Sequence, residues 1–292
     1  MWIFYSFLTA ALETVRDVMG KKSAQKTDEY LASFGIQFFG LLVIVPMLMV
    51  VGIPEVKPIF WWAAAAGLIT VPLGNILYMR AVKSADLSMV VPMLAFNPFF
   101  TALITILFEK TFPSMLGWVG IMVVGMGLYS LRLGEKALSK GVLGPLLQIR
   151  HDPNAMAMLG VALIWSVGAN LAKVLVMNSS PLFTAFIGAS SSSLVLFIIV
   201  AGRAKFKLLP VMKSIRNNLL SLSSLGIGVG LSNMAMFMAL SQGFTPYVIS
   251  IKRVNIVFSS IAGKIFFKEK LSKNKILGIV LMFVGLVLII LG

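Results

Sequence analysis

The sequence predicts an all-α membrane protein of ten transmembrane helices, arranged as two inverted five-helix repeats. Three observations predict it. The 292 residues are 59% hydrophobic and 12% charged, against roughly 45–50% and about 25% in a soluble domain. The apolar residues fall in runs near the ~20 that cross a bilayer as a helix. A pattern of residues in the first half then returns in the second. Strands are a poor alternative, because a lipid-facing strand needs alternating polarity and these runs are apolar on every face.

The runs place spans at about 1–20, 29–51, 58–79, 87–108, 114–131, 154–177, 180–201, 217–240, 244–266 and 275–291. Glu13, Arg16 and Asp17 interrupt the first. It is not read as a cleavable signal peptide, because Met1-Trp2-Ile3-Phe4 has no basic n-region. Pro46, Pro72, Pro92 and Pro98, in the second to fourth spans, each predict a kink, or a break whose freed carbonyls line a cavity. The fifth closes the first repeat, 1–132. The linker 133–153 is a basic loop or a short interfacial helix, in which Gly141, Gly144 and Pro145 oppose a helix. The sixth span opens the second repeat, 154–292, and carries Trp165, Asn170 and Lys173. Ser190 to Ser193 in the seventh predict a close-contact face. In the eighth, Gly226 and Gly230 make a small-xxx-small packing seam. They are not a nucleotide loop, since no strand precedes them. Lys252 and Arg253 interrupt the ninth, and the tenth ends the chain.

The repeat is specific at the end of each half. Asn75, Ala81, Asn97 and Phe100 return as Asn233, Ala239, Asn255 and Phe258, each 158 residues on. Each half then closes with a Gly-Ile start and a second glycine seven residues on: Gly120-Ile121 with Gly127, and Gly278-Ile279 with Gly285. The first and sixth spans align only loosely. A unit with an odd number of spans must re-enter the membrane upside down. Inverted repeats of this kind are typical of secondary transporters, with the site between the repeats near the midplane.

Charge sets the orientation. The formal net charge is +15 from 25 Lys and Arg against 10 Asp and Glu. Eighteen basic residues lie in odd-numbered connections and two in even-numbered ones. That bias puts the odd connections in the cytoplasm and both termini outside. It also explains the charge without nucleic acid. There is no cysteine, hence no disulfide or thiolate site, and the one histidine, His151, lies in the linker. No Ser-His-acid set, metal cluster or phosphate cradle is present. The expectation is not an enzyme, with no cofactor and no metal.

The charges inside the spans single out a site. A charge at mid-bilayer costs roughly 2.5–3.5 kcal/mol on insertion scales. Lys252 and Arg253 lie roughly 12 Å into the ninth span at 1.5 Å per residue. Five basic residues fall within spans (Arg16, Lys173, Lys252, Arg253, Lys264) against two acidic ones, Glu13 and Asp17. The surplus attracts an anion: a guanidinium grips phosphate or carboxylate in two places, and an ammonium adds a point charge. The alternative is an internal salt bridge to Glu13 and Asp17, and the two readings can coexist. Glu13 and Asp17 share a helix face. Either is a coupling or gating acid for protons, unless Glu13 merely pairs with Arg16. Asn255 is expected to share a face with Lys252, three residues before it, and with Asn97 to orient the ligand. Asn75, Asn233 and Asn170 either complete the site or bond neighbouring helices.

The segment Ile249-Ser250-Ile251-Lys252-Arg253-Val254-Asn255-Ile256-Val257-Phe258, followed by Gly263, Phe267 and Glu269 in a Gly-x-x-x-Phe-x-Glu ending, resembles the ninth helix of the EamA-type branch of the drug/metabolite transporter superfamily. Trp165 and Lys173 are similar to that family's sixth-helix Trp and Lys. The first span departs from the pattern, with Glu13, Arg16 and Asp17 instead. The resemblance implies alternating access around a central cavity. It implies anion-binding roles for Lys252 and Arg253, because phosphate translocators of the superfamily carry an adjacent Lys-Arg pair there. It implies termini in the cytoplasm, opposite to the charge bias. The resulting expectation is a secondary transporter of a small anionic or zwitterionic metabolite in the cytoplasmic (inner) membrane, as monomer or homodimer. Protons are a candidate coupling ion. Alternatives are an exporter of lipophilic cations or drugs, a lipid flippase, or a non-transporting scaffold.

Overall fold

The computed structural model describes residues 1–23, 29–84, 91–132, 152–203, 215–267 and 272–292, and among them every regular element is helical. The linker expectation, with His151, lies almost wholly outside the described residues. The helices are α1 (Trp2–Ser23), α2 (Glu29–Val51), α3 (Pro58–Ser84), α4 (Asn97–Glu109), α5 (Met115–Arg132), α6 (Pro153–Met177), α7 (Pro181–Arg203), α8 (Leu219–Gln242), α9 (Thr245–Lys252), α10 (Val254–Phe267) and α11 (Lys273–Leu291). A 3₁₀ turn, Val91–Phe96, leads into α4. The ninth span is thus divided into α9 and α10.

Among the described residues, six stretches are both long and apolar enough to cross a membrane: Ser33–Val51, Pro92–Glu109, Pro153–Met177, Pro181–Arg203, Leu222–Gln242 and Lys273–Leu291. Shorter apolar helices cover Trp2–Val15, Pro58–Thr70 and Met115–Leu131. The remaining span falls short because it is divided into helices of 8 and 14 residues. Helix starts follow local chemistry. Pro58, Pro153 and Pro181 open α3, α6 and α7, where a missing N–H costs nothing. The Asp152 carboxylate accepts from the Asn154 N–H at 2.8 Å, capping α6. Pro46 and Pro72 sit inside unbroken helices.

Packing shows the inversion. A Cβ built on Gly127 would lie 2.8 Å from the Gly278 carbonyl oxygen, and one built on Gly120 would lie 2.8 Å from that of Gly285. The early glycine of α5 meets the late glycine of α11, so these repeat mates run antiparallel. The backbones touch where no side chain fits. The contacts of the first and sixth spans follow the same rule: α1 packs on α8 as α6 packs on α3, and α1 on α9 and α10 as α6 on α4 and its 3₁₀ turn.

One pair of mates departs from this symmetry. Helix α2 packs closely on α8 along the Gly226 and Gly230 seam, where a Cβ on Gly230 would lie 2.8 Å from the Gly40 carbonyl oxygen. The counterparts α7 and α3 touch far less. Phe60 and Phe183 are in ring contact at 5.5 Å near their starts, but a Cβ on Gly67 or Gly188 would have nothing within 4 Å.

Candidate functional site

Two broken spans define the site, and they break at matching places. Pro98 in the first turn of α4 has no N–H to continue the ladder from the 3₁₀ turn, so the fourth span breaks at Phe96–Asn97. Asn255, the mate of Asn97 158 residues on, follows the break between α9 and α10. No proline causes this second break. The Arg253 N–H is shared between the Ile249 and Ser250 carbonyls at 3.3 and 3.2 Å, tightening one turn. Ser250 Oγ also bonds back to the Pro246 carbonyl at 2.7 Å, a contact that bends helices.

At the first break the polar groups are knitted together. Asn97 Nδ2 donates to the Ala162 carbonyl at 3.1 Å and to Ser166 Oγ at 2.8 Å on α6. Ser166 Oγ lies 2.7 Å from the Ala162 carbonyl and 3.0 Å from that of Asn97. One turn further on, Thr105 Oγ1 donates to Asn170 Oδ1 at 2.7 Å, and Asn170 Nδ2 to the Ser166 carbonyl at 2.9 Å. Asn97, Thr101, Thr105, Ser166 and Asn170 are all buried. With both amide protons engaged, Asn97 Oδ1 faces away from α6. There it accepts from Arg253 Nη2 at 2.6 Å.

At the second break the groups are charged. Lys252 Nζ lies 3.0 Å from Glu13 Oε1 of α1, with side-chain exposures of 19% and 10%. It also lies 3.2 Å from Met236 Sδ. Arg253 finds a neutral amide, and its Nε is buried without a partner. Asn255 Oδ1 is likewise buried and unpartnered, although its backbone carbonyl accepts from Thr14 Oγ1 at 3.3 Å. Glu13, Lys252 and Arg253 together carry a formal charge of +1.

The structure therefore brings together Glu13, Lys252, Arg253 and Asn97, with Asn255 just beyond the break. Asn170 buttresses Asn97. Trp165 packs on α3, over Gly74 and against the Tyr78 ring at 5.4 Å. Asn233 is half-buried on α8, with no hydrogen-bond partner among the described residues. Lys173 lies two turns beyond Ser166 and caps the end of α8, donating to the Leu240 and Gly243 carbonyls at 2.6 and 3.0 Å. Beside it Thr245 Oγ1 donates to Glu109 Oε1 at 2.8 Å. The side chains of Arg16, Asp17 and Asn75 lie outside the described ones. Sequence reasoning missed Ser166, Thr14, Thr101 and Thr105. A usable signal existed: Ala10 and Thr14 recur as Ala162 and Ser166 at a separation of 152, not 158.

The model of the EamA-like transporter family matches residues 1–133 and 153–291 of the chain. The chain belongs to that family. A crystal structure titled only as that of a protein aligns over 99% of this chain and 98% of its own, with a TM-score of 0.76 and 15% identity; this likeness is one of fold alone. None of the curated proteins matches the chain. The EamA-type chain is accordingly a multi-pass membrane transporter of the drug/metabolite transporter superfamily, whose members are transporters and not enzymes. Its partners are a small-molecule substrate and the lipid bilayer.

Proposed function

We propose that this EamA-type chain is a secondary active transporter moving a small anionic or zwitterionic metabolite across the cytoplasmic membrane by alternating access. Arg253 carries the reading. It is a guanidinium between the two halves, bonded to a neutral amide, with its Nε donor buried and unmet. A carboxylate or phosphate satisfies that donor and removes the surplus charge. The Glu13–Lys252 pair serves as a gate: bonded when the site is empty, opened when substrate or a proton takes one partner. Asn97 orients the guanidinium. The unequal packing of α2 on α8 and of α3 on α7 supports a two-state device, because quasi-equivalent pairs exchange roles in an inverted repeat. An exporter of lipophilic cations requires an available acid, and Glu13 is already bonded to Lys252.

The test is anion uptake and exchange in proteoliposomes. The Lys252→Ala, Arg253→Ala double variant is expected to lose at least 100-fold in flux while retaining a monodisperse gel-filtration profile. Unchanged transport of every anion tried would end the proposal.

A further inference from the structure

The two asparagines at the helix breaks are repeat mates with opposite fates. Asn97 spends its whole amide: two protons on α6 and its oxygen on Arg253. Asn255, 7% exposed, has an amide oxygen with nothing to accept from. Two residues away, across the break, Arg253 Nε is a buried donor with nothing to donate to. Native interiors leave few such groups unmet. An unmet donor and an unmet acceptor flanking one break, where a transporter of this architecture places its cargo, describe a ligand by its complement. Arg253 calls for an anionic group. Asn255 Oδ1 calls for a hydrogen-bond donor.

Charge decides which donor. Among the described side chains at the two breaks, Glu13, Lys252 and Arg253 sum to +1, which one negative charge cancels. An ammonium would add a positive charge beside Lys252 and Arg253 and leave the surplus in place. A hydroxyl donates without adding charge. Resting on the anion reading above, we propose that the cargo is a hydroxylated monoanion. Its carboxylate or singly charged phosphodiester is held at Arg253 Nε, and a hydroxyl on the adjoining carbon framework donates to Asn255 Oδ1. Zwitterions and anions lacking a hydroxyl are the poorer ligands.

Isothermal titration of the purified full-length chain in nanodiscs tests this with matched singly charged probes: lactate and propionate, with zwitterionic alanine beside them, for a carboxylate head, and methyl glyceryl phosphate and methyl propyl phosphate for a phosphodiester head. In at least one series the hydroxylated probe is expected to bind ten-fold or more tightly than its deoxy partner, and lactate more tightly than alanine. The series that binds identifies the head group. Asn255→Leu should erase the hydroxyl preference and leave the deoxy probe's affinity within about two-fold. Asn255→Ala serves where Leu is not accommodated. Deoxy or zwitterionic probes binding as well as the hydroxylated one would overturn the inference, as would a preference that survives both variants. In those cases the anion reading stands. No binding by any anion would remove both.

Discussion

The fourth and ninth spans are copies of one element, yet one is stitched shut and the other is charged and incompletely bonded. Leu94 and Ala95 stand where Lys252 and Arg253 stand 158 residues later, and Trp165 stands where Glu13 stands 152 earlier. The fourth-span side therefore has a Leu94 cluster with Trp165 packed against it. The ninth-span side has an ion pair and a guanidinium. The backbone break is common to both, so the break alone does not make a site. What distinguishes the ninth-span copy is three positions that carry charge where its twin carries Trp165, Leu94 and Ala95. The twin then contributes as scaffold: its fully bonded Asn97 holds the guanidinium of the other half.

Making the ninth break resemble the fourth is the strongest way to test that contrast. Glu13→Trp with Lys252→Leu and Arg253→Ala is expected to reduce anion flux in proteoliposomes to the level of empty vesicles. Its melting temperature should stay level or rise, since well-packed apolar groups often replace a buried ion pair at no loss. Transport above background in a folded triple variant would break the comparison.

Removing one charge alone should behave differently. Glu13→Gln strands Lys252 and is expected to destabilise by about 3 kcal/mol, whereas adding Lys252→Met should restore most of that loss. A double-mutant cycle on thermal melting in detergent measures it, and additive losses would show that the two groups do not act as a pair.

The smallest effect sharpens the difference between mates. Ser166→Ala removes a bond that fixes the Asn97 amide, with an expected cost of about 1 kcal/mol and a few-fold loss of anion affinity. Thr14→Ala, at the longer 3.3 Å contact to the Asn255 carbonyl, should change affinity less than two-fold. Equal effects of the two on binding would mean that the breaks are not functionally distinct.

The sequence made the larger features legible and the finer ones not. Span positions follow from runs of apolar residues that only lipid accommodates. The inverted repeat follows from Asn97, Asn255 and the paired glycines of α5 and α11. Lys252, Arg253 and Glu13 stand out because each is expensive in hydrocarbon. The fourth-span break is legible from Pro92 and Pro98. The ninth is not, since a shared N–H at Arg253 and a serine bond inside α9 leave no compositional mark. That turn also intervenes between Lys252 and Asn255, which an unbroken helix would set on one face. Ser166 and Thr14 stayed hidden because hydroxyls are common in apolar helices and their own spans align at a different separation from the rest.

The seam between α5 and α11 has a consequence for ancestry. Each glycine pair meets the same motif read backwards, Gly120 against Gly285 and Gly127 against Gly278, so the contact is self-complementary in the manner of a two-fold dimer interface. One five-helix unit carries both faces of that contact in a single stretch of sequence. Two identical units inserted in opposite senses would seal it as well as the fused halves do, which makes an antiparallel homodimer the natural precursor of this single chain.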